Sequence, residues 1–299
     1  MSFAVATSIE EAVTAMAQGA QPIAGGTDMV VGARQGKAPL PEHVIAIDRI
    51  PELQSINETE TELIIGAGVT HAALMTDPLI VKYVPSIADG AALVGSPSTR
   101  NVGTIGGNIM NGSPAMDTGA PLMTSNSRAR LRSSSGTRMV SMQELWIGPG
   151  RLTASPDELC VAIHLPKPVP AAGCAYVRLE YRRAMEIAIV GAAASVATNE
   201  SGTLSSLSVA LTAVAPTILE VTGTASLIGA TIDDALLDKV AELSSAQAAP
   251  ISDMRASDAY RRHTVGVMAR RATDAALRRA AGEDIPAPVN RAVGIGAAQ

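Results

Sequence analysis

Thr99-Arg100-Asn101-Val102-Gly103-Thr104-Ile105-Gly106-Gly107-Asn108, continued by Ile109-Met110-Asn111-Gly112-Ser113-Pro114-Ala115-Met116-Asp117, is the stretch whose reading decides the fold. Gly103, Gly106 and Gly107 crowd it, small hydroxyl and amide side chains surround them, and Asp117 follows as a lone carboxylate. Glycine has no Cβ and tolerates positive φ, so such a segment can bend tightly and bring backbone N–H groups against a ligand. Successive N–H groups make a nest for phosphate oxygens, and a carboxylate can accept from ribose or ribityl hydroxyls. A glycine-rich turn with no ligand satisfies the same composition. On this stretch alone both readings stand.

Gly25-Gly26-Thr27-Asp28, behind the strand-like Gln21-Pro22-Ile23-Ala24, is a second turn bearing glycine, hydroxyl and carboxylate. Two such turns in one domain could grip a long ligand from both sides, one of them at a pyrophosphate. Two independent tight turns are the alternative. Ile65-Gly66-Ala67-Gly68-Val69-Thr70-His71 imitates the opening of a dinucleotide fingerprint, but His71 replaces the third glycine. A strand-to-helix turn without a ligand accounts for it.

Working outward, Ser8 with Glu10 and Glu11 predicts a short helix that Gly19 ends. Strands are predicted at 21–24 and 44–47, with a helix or turn from Met29 to Arg34 between them, a small βαβ-like unit. A strand over 61–66 leads to a helix from His71 to about Met75, and 80–93 is helical. Short antiparallel strands are predicted at 128–131, 138–140 and 160–165, before a linker at Pro166, Pro168 and Pro170. The chain restarts over Ala175 to Glu180, runs apolar from Ile187 to Val196 and forms a strand from Leu204 to Val214, with helices over 232–243 and 256–280. The segment from Ala281 reads as a loose tail. The plan is an α+β domain, then a smaller α+β domain.

Composition narrows the function classes. Of 299 residues 47% are hydrophobic and 17% charged, which excludes disorder. Aromatics are 2%, so the core is built from Ala, Val, Ile, Leu and Met. A net charge of −5 with no basic tract argues against nucleic-acid binding. Cys160 and Cys174 fit no metal spacing and read as reduced thiols of a cytoplasmic protein. About four thiolates are needed for an iron–sulfur cluster, so this chain alone ligates none. There is no signal-peptide pattern and no apolar run long enough to span a membrane. His43, His71, His164 and His263 are scattered, show neither a metal spacing nor a triad order, and read as surface or structural residues. Arg178, Arg182 and Arg183 crowd the start of the second domain, as a solvated face or as contacts to an anionic cofactor or a partner subunit.

Together, Ala24-Gly25-Gly26-Thr27-Asp28, Arg100 to Asn108 and Ser113-Pro114-Ala115-Met116-Asp117 resemble the FAD-binding medium subunit of molybdenum hydroxylases, the family of carbon monoxide and xanthine dehydrogenases. Tyr181-Arg182-Arg183-Ala184-Met185-Glu186-Ile187-Ala188 and Tyr260-Arg261-Arg262-His263 extend the resemblance through the second domain. It implies a vanillyl-alcohol-oxidase-like (PCMH-type) FAD-binding domain over 1–168, with subdomains of about 1–56 and 57–168. A C-terminal α+β domain over 173–280 and a flexible tail over 281–299 would follow.

The resemblance also implies the site. The loop Ile23, Ala24, Gly25, Gly26, Thr27, Asp28 and Met29 grips the FAD pyrophosphate, and Thr104, Ile105, Gly106, Gly107 and Asn108 contact the cofactor from the other side. Asp117 binds sugar or ribityl hydroxyls, Leu159 or Cys160 packs on the cofactor, and Arg178 stands near the isoalloxazine where many relatives carry lysine. FAD is noncovalent, and no residue of this chain acts as acid, base, nucleophile or metal ligand. A large molybdopterin subunit and a small subunit with [2Fe–2S] clusters are the implied partners, as a dimer of heterotrimers. Electrons pass from the clusters to FAD and on to an external acceptor. The alternatives are a self-sufficient FAD oxidoreductase of the vanillyl-alcohol-oxidase-like class and a scaffold subunit that has lost its flavin.

Overall fold

Every strand of the first sheet runs the same way. Ser2–Val5 and Gln21–Ile23 flank His43–Ala46 in parallel, joined by the helices Ile9–Ala17 and Met29–Arg34. The sequence reading finds two of these strands and misses Ser2–Val5, whose four residues are all exposed and carry no alternation. Ser8 caps the first helix by accepting from the Glu11 N–H, as its position predicts. The computed structural model describes residues 1–182 and 184–294; Arg183 and residues 295–299, which the sequence reading includes in an arginine cluster and a tail, lie outside them.

A five-stranded antiparallel sheet follows, in the order Ile56–Glu58, Glu62–Gly66, Leu159–Pro166, Arg128–Ser133, Gly136–Ser141. Short helices between Glu62–Gly66 and Arg128–Ser133 cover it, and the main apolar core lies between helices and sheet. The helical stretch predicted over 80–93 is two helices, Pro78–Tyr83 and Pro85–Leu93. Pro85 cannot donate the hydrogen bond that continuity requires, and it serves instead as the first residue of the second helix.

The last sheet is antiparallel, Ala172–Leu179, Val190–Thr198, Leu204–Thr212 and Leu219–Glu220, packed against Asp258–Ala280 with Asp234–Gln247 beside it. Small side chains from both, among them Ala192, Ala194, Ala269 and Ala272, fill this core in place of the missing aromatics. The fold is α+β, as the sequence pattern predicts.

The loose tail read from Ala281 is corrected by packing. Ile285, Val289 and Asn290 are buried, and Val289–Ala292 is a short helix. The Asn290 side chain accepts from the Arg178 N–H at 2.9 Å and donates to the Arg178 carbonyl at 2.8 Å, completing the backbone of an outer strand.

Candidate functional site

The stretch read as a glycine loop is helical. Pro97–Val102 and Ile105–Asn111 are two short helices, capped by Ser96 and Thr104, whose hydroxyls accept from Thr99 N–H and Gly107 N–H. This capping changes what the glycines do. The Ile105 N–H donates to Val69 O at 3.0 Å, Gly106 to Ala67 O at 2.8 Å, Gly107 to Thr104 Oγ1 at 3.1 Å and Asn108 to Thr104 O at 3.0 Å. No N–H of this run is left for a phosphate. Gly106 is required for close approach, since a Cβ there would lie 2.6 Å from both the Cβ and the carbonyl oxygen of Ala67.

The other turn provides the free donors. Among the described residues, the backbone N–H groups of Gly25, Gly26, Thr27 and Asp28 have no protein acceptor. Gly26 takes φ +68°, and a Cβ on Gly25 would meet the Val102 carbonyl oxygen at 1.9 Å. Gly25 therefore lets the first turn lie directly against the Val102–Gly103 backbone, which joins the two glycine motifs into one wall. A groove of about 580 Å³ runs along it, within the size range of small-molecule sites.

Ile23, Ala24, Gly25, Gly26, Thr27, Asp28 and Met29 line this groove from one side and Thr104, Gly107 and Asn108 from the other. Asp28 is the carboxylate at the groove, and burial raises its pKa from the ordinary value. Ile105 and Gly106 lie beneath the wall, both buried. The sequence reading misses His71, Thr99, Gly103, Met110 and Asn111, which also line it. A signal for Asn111 was present: Thr104, Gly107, Asn108 and Asn111 stand at i, i+3, i+4 and i+7, one helix face, hidden by reading the segment as a loop.

The remaining predicted contacts stand elsewhere. Asp117 is buried, its two carboxylate oxygens accept from Tyr176 Oη at 2.9 Å and Arg178 Nη1 at 2.7 Å, and it does not line the groove. Burial raises its pKa, opposed by the Arg178 charge. Arg178 is fully buried in the strand Ala172–Leu179 and also donates through Nε to Glu180 at 2.9 Å. Burial disfavours its charge, but the Asp117 and Glu180 carboxylates outweigh that and raise its pKa. Leu159 and Cys160 begin the strand Leu159–Pro166 and, by the strand's alternation, enter different cores, Leu159 with the N-terminal helix and Cys160 with the main one. Burial pushes the Cys160 thiol up to about 12, which leaves it unreactive. These four residues do not line the groove.

The donor set suits a flavin dinucleotide: a row of unpaired N–H groups for a diphosphate, with a carboxylate and amides for hydroxyls. Among the described residues no cluster of His, Cys, Asp and Glu is arranged to hold a metal ion. Among the described residues no helix is long and apolar enough to cross a membrane.

Comparison with known proteins agrees with this geometry. Residues 1–168 match the FAD binding domain in molybdopterin dehydrogenase, and residues 175–276 match the CO dehydrogenase flavoprotein C-terminal domain. The carbon monoxide dehydrogenase medium chain of Afipia carboxidovorans is 35% identical over 278 residues, covering 91% of this chain and 95% of that one. The xanthine dehydrogenase FAD-binding subunit of Escherichia coli O157:H7 is 29% identical, with coverage of 94% and 98%. A solved structure of carbon monoxide dehydrogenase from Hydrogenophaga pseudoflava superposes with a TM-score of 0.88 at 31% identity, covering 93% of this chain and 98% of that one. With a family model spanning over half its length and a relative this similar along nine-tenths of it, the chain belongs to the FAD-binding subunits of the molybdenum hydroxylase family, an oxidoreductase subunit with a PCMH-type flavin domain.

Proposed function

We propose that this chain is the electron-exit subunit of a molybdenum-dependent dehydrogenase. It would hold noncovalent FAD in the groove between the Gly25–Asp28 turn and the Thr104–Asn111 helix. The observation that carries the reading is the row of four unpaired N–H groups pressed against the second glycine motif. When bound, FAD supplies the ability to take electrons singly and to give them in pairs. The chain's own residues bind and orient. Gly25 to Asp28 donate to the diphosphate, Asp28, Asn108 and Asn111 meet its hydroxyls and neighbouring polar edges, and Ile23 and Met29 exclude water. Arg178 and Asp117 pair away from the groove lining, tying the first strand of the C-terminal domain to the flavin domain.

The likeness over nine-tenths of the chain to a carbon monoxide dehydrogenase medium chain supports a relay role over a self-sufficient oxidase. Electrons would come from [2Fe–2S] clusters of a small subunit, with the substrate handled by a large molybdopterin subunit, in a dimer of heterotrimers. The relatives are named as medium chains and FAD-binding subunits, which supports such partners. Cys160 and Cys174, both free and buried, are consistent with assembly in the cytoplasm.

Affinity purification of the tagged full chain from its own host tests the reading. The expected preparation contains two further chains, molybdenum, iron and acid-labile sulfide beside FAD. A flavin-loaded chain that purifies alone and turns over an organic substrate by itself overturns it.

A further inference from the structure

His71 is neither a surface histidine nor a satisfied structural one. It opens the helix His71–Leu74, its backbone N–H donates to Gly103 O at 3.0 Å, and its ring, 2% exposed, forms part of the groove wall. The ring's Nδ1 is sealed from solvent and has no partner among the described residues, so the edge through which the ring can meet a ligand is that of Cδ2 and Nε2. The other histidines stand away from the groove: His43 pairs with Ser2, His263 is exposed, and His164 bonds Glu62 through Nδ1 while its buried Nε2 has no partner among the described residues. A Cβ built on Gly103 would lie 3.4 Å from His71 Cδ2 and 3.5 Å from Thr27 Oγ1, so the ring and the Thr27 hydroxyl flank the same point of the wall. Thr27 belongs to the turn with the unpaired N–H groups.

A sealed N–H without an acceptor is costly, so the proton of a neutral His71 ring belongs on Nε2 and not on Nδ1. Burial, and secondarily the Arg100 charge, lower the ring's pKa to about 4, so the imidazole is neutral at pH 7 with one N–H to donate. A neutral donor can meet an anion without first burying a charge of its own. The crevice of about 460 Å³ beside Tyr83 offers no comparable group, because its Lys167 and Arg279 are already paired with Glu58 and Asp89.

We propose that His71 is a cofactor-binding residue whose neutral imidazole donates a hydrogen bond to the diphosphate held on the Gly25–Asp28 turn. This rests on the FAD reading above. Titration of the apoprotein with FAD, followed by flavin fluorescence, is expected to show His71→Phe weakening binding by about tenfold or more, the loss of one bond to a charged group. His71→Gln, which keeps a donor, is expected to recover part of it. In the wild-type apoprotein the His71 ring nitrogens, followed by ¹⁵N NMR, shift on addition of FAD and of ADP while the ring stays neutral. Ring resonances unmoved at saturating FAD, or a folded His71→Phe that binds FAD within about twofold of wild type, overturn the proposal. A ring that moves with riboflavin and not with ADP overturns its diphosphate assignment. A wild-type chain that takes up no FAD removes the underlying reading as well, and the two failures are thereby told apart.

Discussion

At the scale of single residues the groove is a balance of satisfied and unsatisfied groups, and His71 carries a measurable signature of it. Its folded pKa of about 4 lies below the ordinary histidine value of 6.5. Between those values the unfolded chain holds a proton that the folded chain refuses, so stability is fully present above pH 6.5 and falls as pH drops toward 4. By about pH 5 the loss is on the order of 2 kcal/mol. Urea denaturation of the apoprotein at neutral and mildly acidic pH should therefore show His71→Phe losing less stability than wild type; parallel losses would mean that the ring is not held neutral. Gly25 carries the second residue-scale prediction. Its Cβ would meet Val102 O at 1.9 Å, a backbone atom that cannot swing aside. Gly25→Ala should cost about 1–3 kcal/mol and separate the two turns, lowering FAD uptake in equilibrium titration. Gly32→Ala, whose Cβ would meet nothing within 4 Å and which does not line the groove, should be far milder in the same assay.

At the scale of elements, sequence reading went furthest where periodicity is strong and least far where it is short. The strands Glu62–Gly66, Arg128–Ser133 and Leu159–Pro166 and the long helix Asp258–Ala280 fall close to the predicted 61–66, 128–131, 160–165 and 256–280. Ser2–Val5 is not, because an exposed edge strand of four residues has no apolar face to betray it. The glycine-rich stretch was legible as a ligand site by composition but misread in conformation. Glycines disfavour helix, yet tertiary contacts with Ala67 and Val69 and the Thr104 cap override that preference. The row of free donors was therefore placed on both turns, when only Gly25 to Asp28 provide it. Removing the cap tests this assignment. Thr104→Ala should destabilise the chain by about 0.5–2 kcal/mol in urea denaturation, and Thr104→Ser should restore most of it. If both variants match wild type, the helix does not depend on its cap.

For the whole molecule, the flavin domain and the C-terminal domain are joined by buried charge. Asp89 on the helix Pro85–Leu93 accepts from the two terminal guanidinium nitrogens of Arg279, Nη1 at 2.6 Å and Nη2 at 3.0 Å, and from the backbone N–H groups of Tyr176 and Val289. Burial raises the Asp89 pKa, opposed by its bonds to Arg279. Asp89→Ala would leave Arg279 buried and unpaired, a loss of about 3–5 kcal/mol in chemical denaturation. Nothing in the sequence announced this pair, since its partners are brought together only by the fold. The C-terminal segment was misjudged for the same reason: proline, glycine and alanine describe its composition, and the distant backbone of Arg178 describes its role. The central claim remains that one FAD sits in the groove where the two glycine motifs meet. Absorbance titration of the purified apoprotein with FAD tests it most directly: one equivalent bound per chain, with Gly25→Ala binding markedly less, is the predicted result, and a folded wild-type chain that stays colourless in excess FAD after desalting contradicts it.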